Sequence, residues 1–389
     1  MRPIGRRSLL ATAISVAAVT GACAATNAAP HAPAPPVPAH ATPTVDPNLA
    51  LNARARRHGL FFGAAVNNDT LTGDPEALAR VDAECGMVVA EAAFKWADIH
   101  PRPDAYDFTH ADALMAWAGR RHIRVRGHTL AWHEGNPDWL EATLTPSNAE
   151  RILVGHIQTV AGRYAGRLAH WDVVNEPINT DDHKPHGLRS VPWHKNLGAA
   201  YIDIAFQAAA AADPQALRVL NEFGTDYAID WQERKRGALL DLLSNLTHRR
   251  IPIQAVGLQA HLDAGEVNLD QKILARFVAD IASMGLKVIV TELDVRDQRL
   301  PADIASRDAA VAGHAKAWLD AVLPNPAVLG VLSWGLTDRR SWLNDKFPRP
   351  DGLPQRPLPL DVNLARKPLW HAMAASLDSV ATRDGLSRT

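Results

Sequence analysis

The sequence predicts a (β/α)8 barrel, in which eight parallel strands alternate with helices around one core. Short apolar runs alternate with longer stretches of helical spacing from about residue 60 onward, and eight such runs can be counted. The 389 residues, 47 % of them hydrophobic, suffice for one barrel of this size. An open, doubly wound sheet is the alternative, but no glycine-rich dinucleotide fingerprint follows the first run.

The predicted strands are short and apolar, and turn residues or helical stretches separate them. They cover residues 60–65, 87–91, 122–127, 170–175, 217–221, 255–259, 287–291 and 328–334. Helical spacing is clearest over residues 201–211, before Asp213-Pro214, and over residues 270–284, before Gly285.

Residues 1–24 have the pattern of a bacterial export signal. Arg2, Arg6 and Arg7 precede the apolar residues 9–19, and the small residues around Cys23 form a cleavage site. The apolar run is too short to span a membrane. Both a twin-arginine route and an ordinary secretory route fit this segment, and Cys23 is a candidate lipid anchor. We therefore expect a secreted or periplasmic protein.

Residues 25–50 are rich in proline and alanine, a composition typical of an extended linker. The folded domain is then expected over residues 51–389, as a monomer. Cys85 is the one cysteine of this domain, so no internal disulfide is predicted.

The charge balance argues against nucleic acid as a partner. Forty-one basic and 42 acidic residues give a formal net charge of −1, which favours a neutral substrate. Eleven tryptophans against four tyrosines suit sugar binding, although any single tryptophan can equally belong to the core.

Polar and aromatic side chains follow most of the predicted strands. In a barrel of this type the carboxyl ends of the strands form the rim that carries the chemistry. The rim residues are Glu91, His128, Glu176, Gln259, His261, Glu292 and Trp334.

Glu176 and Glu292 directly follow the apolar runs of the fourth and seventh predicted strands. Two carboxyl groups that face one cleft are what glycoside hydrolysis requires. In a retaining enzyme one attacks the anomeric carbon while the other protonates the departing oxygen. The residues alone do not decide which carboxyl has which role.

In combination, five motifs resemble those of the family 10 glycoside hydrolases, best known as endo-β-1,4-xylanases. The similarity extends over residues 60–377. The motifs lie at residues 126–133, 171–177, 256–261, 291–294 and 333–342. The resemblance implies a polysaccharide substrate, xylan or xylo-oligosaccharide, hydrolysed by double displacement without a cofactor or a metal.

The resemblance also implies a role for each candidate residue. Glu176 would be the general acid/base and Glu292 the nucleophile. His261 and Asp294 would orient Glu292, Gln259 would bond Glu176, and Asn175 would bind the sugar 2-hydroxyl. The substrate-binding residues would be Glu91, Lys95, His128, Trp132, Trp334 and Trp342.

The sequence departs from the family pattern in three places. Ala92 stands where an asparagine normally bonds the second glycone ring, and Gly135 lies where many relatives have a glutamine, a loss that Asn136 would offset in part. Phe223-Gly224 lacks a tyrosine hydroxyl and an asparagine amide on the aglycone side. Another retaining β-glycosidase and a non-catalytic polysaccharide-binding barrel therefore remain alternatives.

Overall fold

The computed structural model describes residue 46 and residues 48–383. Within them lie nine strands, all paired in parallel. They are β1 (Phe61–Val66), β2 (Met87–Ala90), β3 (Arg124–Gly127), β4 (His170–Asn175), β5 (Leu217–Glu222), β6 (Ala255–Leu258), β7 (His261–Asp263), β8 (Lys287–Arg296) and β9 (Val328–Ser333).

Eight of these strands close into a barrel. Consecutive strands pair from β1 to β6, β6 pairs with β8, β8 with β9, and β9 with β1. The predicted (β/α)8 barrel is therefore confirmed.

Helices connect the strands and cover the outside of the barrel. In chain order they are α1 (Leu51–Arg57), α2 (Asn68–Gly73), α3 (Pro75–Glu84), α4 (Trp96–Ile99), α5 (Thr109–Arg120), α6 (Asp138–Thr143), α7 (Ala149–Arg163), α8 (Pro192–Leu197), α9 (Ala200–Ala212), α10 (Asp230–His248), α11 (Gln271–Ser283), α12 (Ile304–Val322), α13 (Leu343–Lys346) and α14 (Pro368–Asp378). Two short 3-10 helices, Thr180–Asp182 and Pro185–Gly187, follow β4.

Helix α11 shows how the sequence forms the outer layer. Asp270 accepts hydrogen bonds from the backbone N–H groups of Lys272 and Ile273 and so begins the helix. Leu274, Phe277, Val278 and Ile281 recur at helical spacing and are all buried against the barrel. Each such side chain contributes roughly 1.5–3 kcal/mol by leaving water.

The structure differs from the predicted elements mainly around β3, β7 and β8. Strand β3 begins at Arg124 because His122, predicted to be its first residue, has a φ of 56° and belongs to the turn after α5. Strand β8 is longer than predicted, and its second half pairs with β7, a strand that was not predicted.

None of the helices in the described part of the chain is long and apolar enough to cross a membrane. The predicted export signal and nearly all of the predicted linker lie outside the described residues.

Gly127, the last residue of β3, allows a close approach of the Trp171 indole. A Cβ at position 127 would lie 2.2 Å from two ring atoms of Trp171, whose side chain is buried. We expect Gly127→Ala to lower the free energy of unfolding by about 1–3 kcal/mol, because the ring has no room to move. Urea unfolding measures this change.

Gly155 in the middle of α7 is a matched control, since a Cβ there would meet nothing within 4 Å. Gly155→Ala is expected to stabilise the protein by about 0.5–1 kcal/mol through helix propensity. Equal effects of the two substitutions would contradict the proposed steric role of Gly127.

Candidate active site

The predicted rim residues meet at the carboxyl ends of the barrel strands. Glu91 directly follows β2, His128 follows β3 and Glu176 follows β4. Glu292 lies in the second half of β8, and Trp334 follows β9. The parallel arrangement brings these side chains to one mouth although Glu91 and Glu292 are 201 positions apart in the sequence.

Glu292 is a buried carboxylate with several hydrogen-bonding and charged neighbours. Asn221 Nδ2 donates to its Oε1 at 2.6 Å, and His261 Nε2 lies 3.2 Å from its Oε2. Burial by itself raises the pKa of Glu292. The hydrogen bond from His261 and the charges of His128 and His261 outweigh burial and lower that pKa to about 2. Glu292 is therefore ionised at neutral pH.

His261 lies between two carboxylates. Its Nδ1 is 2.8 Å from Asp294 Oδ1, on the side opposite to Glu292. Burial lowers the pKa of His261, yet the charge and hydrogen bond of Asp294, followed by Glu292, raise that pKa to about 10. The other oxygen of Asp294 accepts a hydrogen bond from Trp342 Nε1 at 2.8 Å. A protonated His261 is thus held facing Glu292.

Glu176 has neutral hydrogen-bond donors around its carboxyl group. Gln259 Nε2 donates to Glu176 Oε1 at 3.0 Å, and Asn175 Nδ2 donates to the same oxygen at 3.3 Å. Its side chain is 12 % exposed, so it faces the cleft more openly than Glu292. The environments of the two carboxyl groups therefore differ. Such a difference is required when two carboxyl groups take different roles in breaking one bond.

The backbone of Glu176 is strained and is fixed from both sides. Its φ of 54° lies in the left-handed region, which costs about 1–3 kcal/mol for a residue other than glycine. The Glu176 N–H donates to Asn221 O at 2.8 Å, and Arg189 Nε donates to Glu176 O at 2.9 Å. These bonds hold the side chain in the barrel mouth.

The Asn221 amide links the two carboxyl groups. Besides Glu292, its Nδ2 reaches Asn175 Oδ1 at 2.8 Å, and Asn175 in turn bonds Glu176. Thr291 Oγ1 donates to Asn221 Oδ1 at 2.7 Å, which orients the amide. A Cβ on Gly257 of β6 would lie 2.1 Å from that oxygen, so glycine is needed there.

Asn221 was not among the predicted site residues. A buried amide at the end of the fifth predicted strand was the available signal, but the sequence does not show that it points towards Glu292. His133 was also missed. Its Nδ1 lies 3.6 Å from Glu176 Oε2, and burial, followed by the charge of Arg189, lowers its pKa to about 4.

His128 directly follows β3 and is buried, with only 2 % of its surface exposed. Its Nδ1 lies 2.8 Å from Asp172 Oδ2, and Arg126 forms an ion pair with the same carboxylate. The contact of Nδ1 with Asp172 thus fixes the orientation of the imidazole, and the same nitrogen lies 4.0 Å from Glu292 Oε1.

Glu91, Lys95 and Trp132 lie together beyond β2 and β3. Burial raises the pKa of Glu91, while Lys95 and a hydrogen bond with Asn67 oppose that rise. Lys95 Nζ lies 4.9 Å from the centroid of the Trp132 ring. Asn136 Nδ2 donates one hydrogen bond to Trp132 O at 3.2 Å, within the same loop.

The three predicted indoles surround the two histidines. The ring centroid of Trp334 lies 5.3 Å from that of His128, and the centroid of Trp342 lies 5.0 Å from that of His261. The ring centroid of Trp132 lies 6.0 Å from that of His128. In the described chain, no group of three or more histidine, cysteine, aspartate or glutamate side chains is arranged to hold a metal ion.

Comparison with known proteins identifies the family. The model of glycosyl hydrolase family 10 matches residues 50–376. The chain belongs to this family. It is 31 % identical to endo-1,4-beta-xylanase 5 of Pyricularia oryzae over 85 % of this chain and 79 % of that protein. It is also 31 % identical to endo-1,4-beta-xylanase B of Thermotoga neapolitana, covering 77 % of this chain and 84 % of that protein.

Solved structures give the same result for this family 10 chain. Native xylanase 10B from Thermotoga maritima superposes with a TM-score of 0.77 at 29 % identity, over 85 % of this chain and 98 % of that chain. Xylanase 10B from Thermotoga petrophila RKU-1, solved with xylobiose, gives a TM-score of 0.78 at 28 % identity, over 86 % and 98 % of the two chains.

Replacing Asp294 tests the charge arrangement around Glu292. In Asp294→Asn the imidazolium loses its second carboxylate, so we expect the pKa of His261 to fall from about 10. NMR titration of the histidine ring protons measures this fall. Asp241→Asn, on the exposed face of α10, should leave the His261 pKa unchanged.

The same pair predicts a pH dependence of stability. The folded-state pKa of His261 lies above its ordinary 6.5, so its contribution is complete below that pH and is lost as the pH rises towards about 10. The free energy of unfolding should therefore fall across this range, and less steeply in Asp294→Asn. Parallel slopes in the two proteins would contradict the assignment.

Proposed function

We propose that the protein is a retaining endo-β-1,4-xylanase that hydrolyses internal bonds of xylan by double displacement. The observation that carries the proposal is the chain of side-chain hydrogen bonds from Glu292 through Asn221 and Asn175 to Glu176. It brings an ionised carboxylate and a more exposed carboxyl group into one barrel mouth, as a retaining glycosidase requires.

In the first step, the Glu292 carboxylate attacks the anomeric carbon while Glu176 donates its proton to the departing glycosidic oxygen. The low pKa of Glu292 keeps it ionised and ready to attack. The bond to the leaving sugar breaks as the ester bond to Glu292 forms.

In the second step, Glu176 acts as a base. Esterification has removed the negative charge of Glu292, and the Glu176 carboxylate, now deprotonated, takes a proton from water as that water attacks the anomeric carbon. The ester bond breaks, Glu292 regains its charge and Glu176 its proton. Two inversions retain the β configuration.

The surrounding residues orient the reacting groups and the substrate. Asn175 would bind the sugar 2-hydroxyl, and its amide already bonds Glu176. Gln259 would orient the acid/base, and His261 with Asp294 would orient the nucleophile. Substrate would be bound by Glu91, Lys95, His128, Trp132, Trp334 and Trp342. Xylan is supported as the substrate by the names of the relatives.

Removing either carboxyl group tests the mechanism. We expect Glu292→Ala to lose at least about 10⁴-fold in kcat, because no nucleophile remains. Glu176→Ala should lose about 10²–10⁴-fold on xylan. The measurement is reducing-sugar release from xylan by the purified protein.

Azide distinguishes the two roles. On an activated aryl xylobioside, Glu176→Ala should be rescued by azide and give a β-azide, since the small anion can attack the glycosyl ester without a base. The control is Glu141→Ala, an exposed carboxylate paired with Lys195, which should retain full activity. Undiminished turnover in Glu292→Ala would exclude it as the nucleophile.

Ala92 tests the substrate assignment. The resemblance implies that an asparagine here bonds the second glycone ring, so Ala92→Asn should raise kcat/KM for an aryl β-xylobioside by up to about 10-fold, the value of one hydrogen bond. The unaltered protein should still prefer this substrate to the aryl cellobioside. Equal or better turnover of the cellobioside would favour another β-glycosidase.

We also propose a domain organisation and a location for the protein. Residues 1–24 would direct export, residues 25–50 would form the linker between this signal and the domain, and residues 51–389 would form the monomeric catalytic domain. The protein would be secreted or periplasmic, with Cys23 as a candidate lipid anchor. These proposals are supported by the N-terminal sequence pattern alone.

A further inference from the structure

Trp231 lies at the rim of the barrel mouth, in the first turn of α10. Its side chain is 40 % exposed, and no other tryptophan in the described residues is exposed to this extent. Single exposed apolar side chains are common on protein surfaces, so what distinguishes Trp231 is its position in the segment that follows the carboxyl end of β5, next to the site.

Gly224 allows the Trp231 ring to lie where it does. A Cβ at position 224 would come within 2.6 Å of Cζ3 and Cη2 of Trp231, so the far edge of the indole rests on the chain just beyond β5. The φ of 68° at Gly224 also favours glycine. The position of the Trp231 ring therefore depends on the absence of a side chain at residue 224.

A continuous series of contacts leads from Glu176 to Trp231. Arg189 Nε bonds Glu176 O, and the Arg189 guanidinium carbon lies 5.7 Å from the centroid of the Phe223 ring. Lys235 Nζ lies 3.4 Å from the same centroid, and its Cδ is 3.8 Å from the Cβ position of Gly224. Phe223 and Trp231 thus lie on the β5 side of Glu176, in the segment that follows the carboxyl end of β5.

This surface lies on the leaving-group side of the site. Strand β4, which precedes Glu176, has β3 on one side and β5 on the other. Glu91, Lys95 and His128 belong to the β2 and β3 side, which the proposed function gives to the glycone. The β5 side then faces the part of the substrate that departs.

We propose that the exposed face of Trp231 stacks on a β-1,4-linked pyranose ring of the leaving group, beyond the first ring. This inference rests on the proposed function and names a binding element of the same cleft. An indole face takes up the C–H face of a xylose ring without directional hydrogen bonds. It would offset the polar contacts that Phe223 and Gly224 do not provide.

The test compares a long substrate with a short one. For Trp231→Ala, we expect kcat/KM on xylohexaose to fall about 3- to 10-fold, the loss for one aromatic contact. On p-nitrophenyl β-xylobioside, whose leaving group is too short to reach Trp231, the change should stay within about twofold. Trp231→Phe should keep most of the activity on xylohexaose, because a flat ring remains.

Ile304→Ala is the matched control, since Ile304 is an exposed apolar residue, 56 % exposed, at the start of α12. It should leave kcat/KM on both substrates unchanged. An equal change on both substrates in Trp231→Ala, or no change on either, would overturn this inference alone. Hydrolysis of neither substrate by the unaltered protein would overturn the proposed function, and this inference with it.

Discussion

The Asn221 amide is the constraint on which the arrangement of the site depends. It donates to Glu292 and to Asn175, and Thr291 fixes its orientation from β8. The same residue accepts the backbone N–H of Glu176 through its carbonyl, so it contacts both carboxyl-bearing segments. A buried amide with its donors and acceptor satisfied holds its neighbours firmly, because any displacement would leave a polar group unpaired. The glycine at 257 provides the space for it.

Around this amide, the two carboxyl groups have different electrostatic surroundings. Glu292 faces a protonated histidine that Asp294 keeps charged, whereas Glu176 faces the neutral amides of Gln259 and Asn175. His133, beside Glu176, has a pKa lowered to about 4 by burial and so adds no charge there at neutral pH. The side chains around Glu292 thus stabilise its anion, whereas those that bond the Glu176 carboxyl group are neutral amides.

The departures from the family pattern lie away from this centre. Ala92 and Gly135 affect the side of the cleft near Lys95 and Trp132, and Phe223-Gly224 affects the opposite side. On that opposite side Lys235 Nζ lies against the Phe223 ring and forms a buried ion pair with Glu222. None of these positions takes part in the side-chain hydrogen bonds around Asn221.

The barrel, its eight strands and the position of the rim residues could be predicted from the sequence, because buried parallel strands are continuous apolar runs and chemistry follows their carboxyl ends. The sequence did not reveal β7 or the second half of β8, since a three-residue strand has too little pattern to detect. Gln259 and His261 were expected beside Glu176 and Glu292 from the family resemblance, whereas Asn221 and His133 emerged only from the tertiary structure. Which side chains meet across the mouth depends on strand register and barrel closure, and neither is encoded in local sequence.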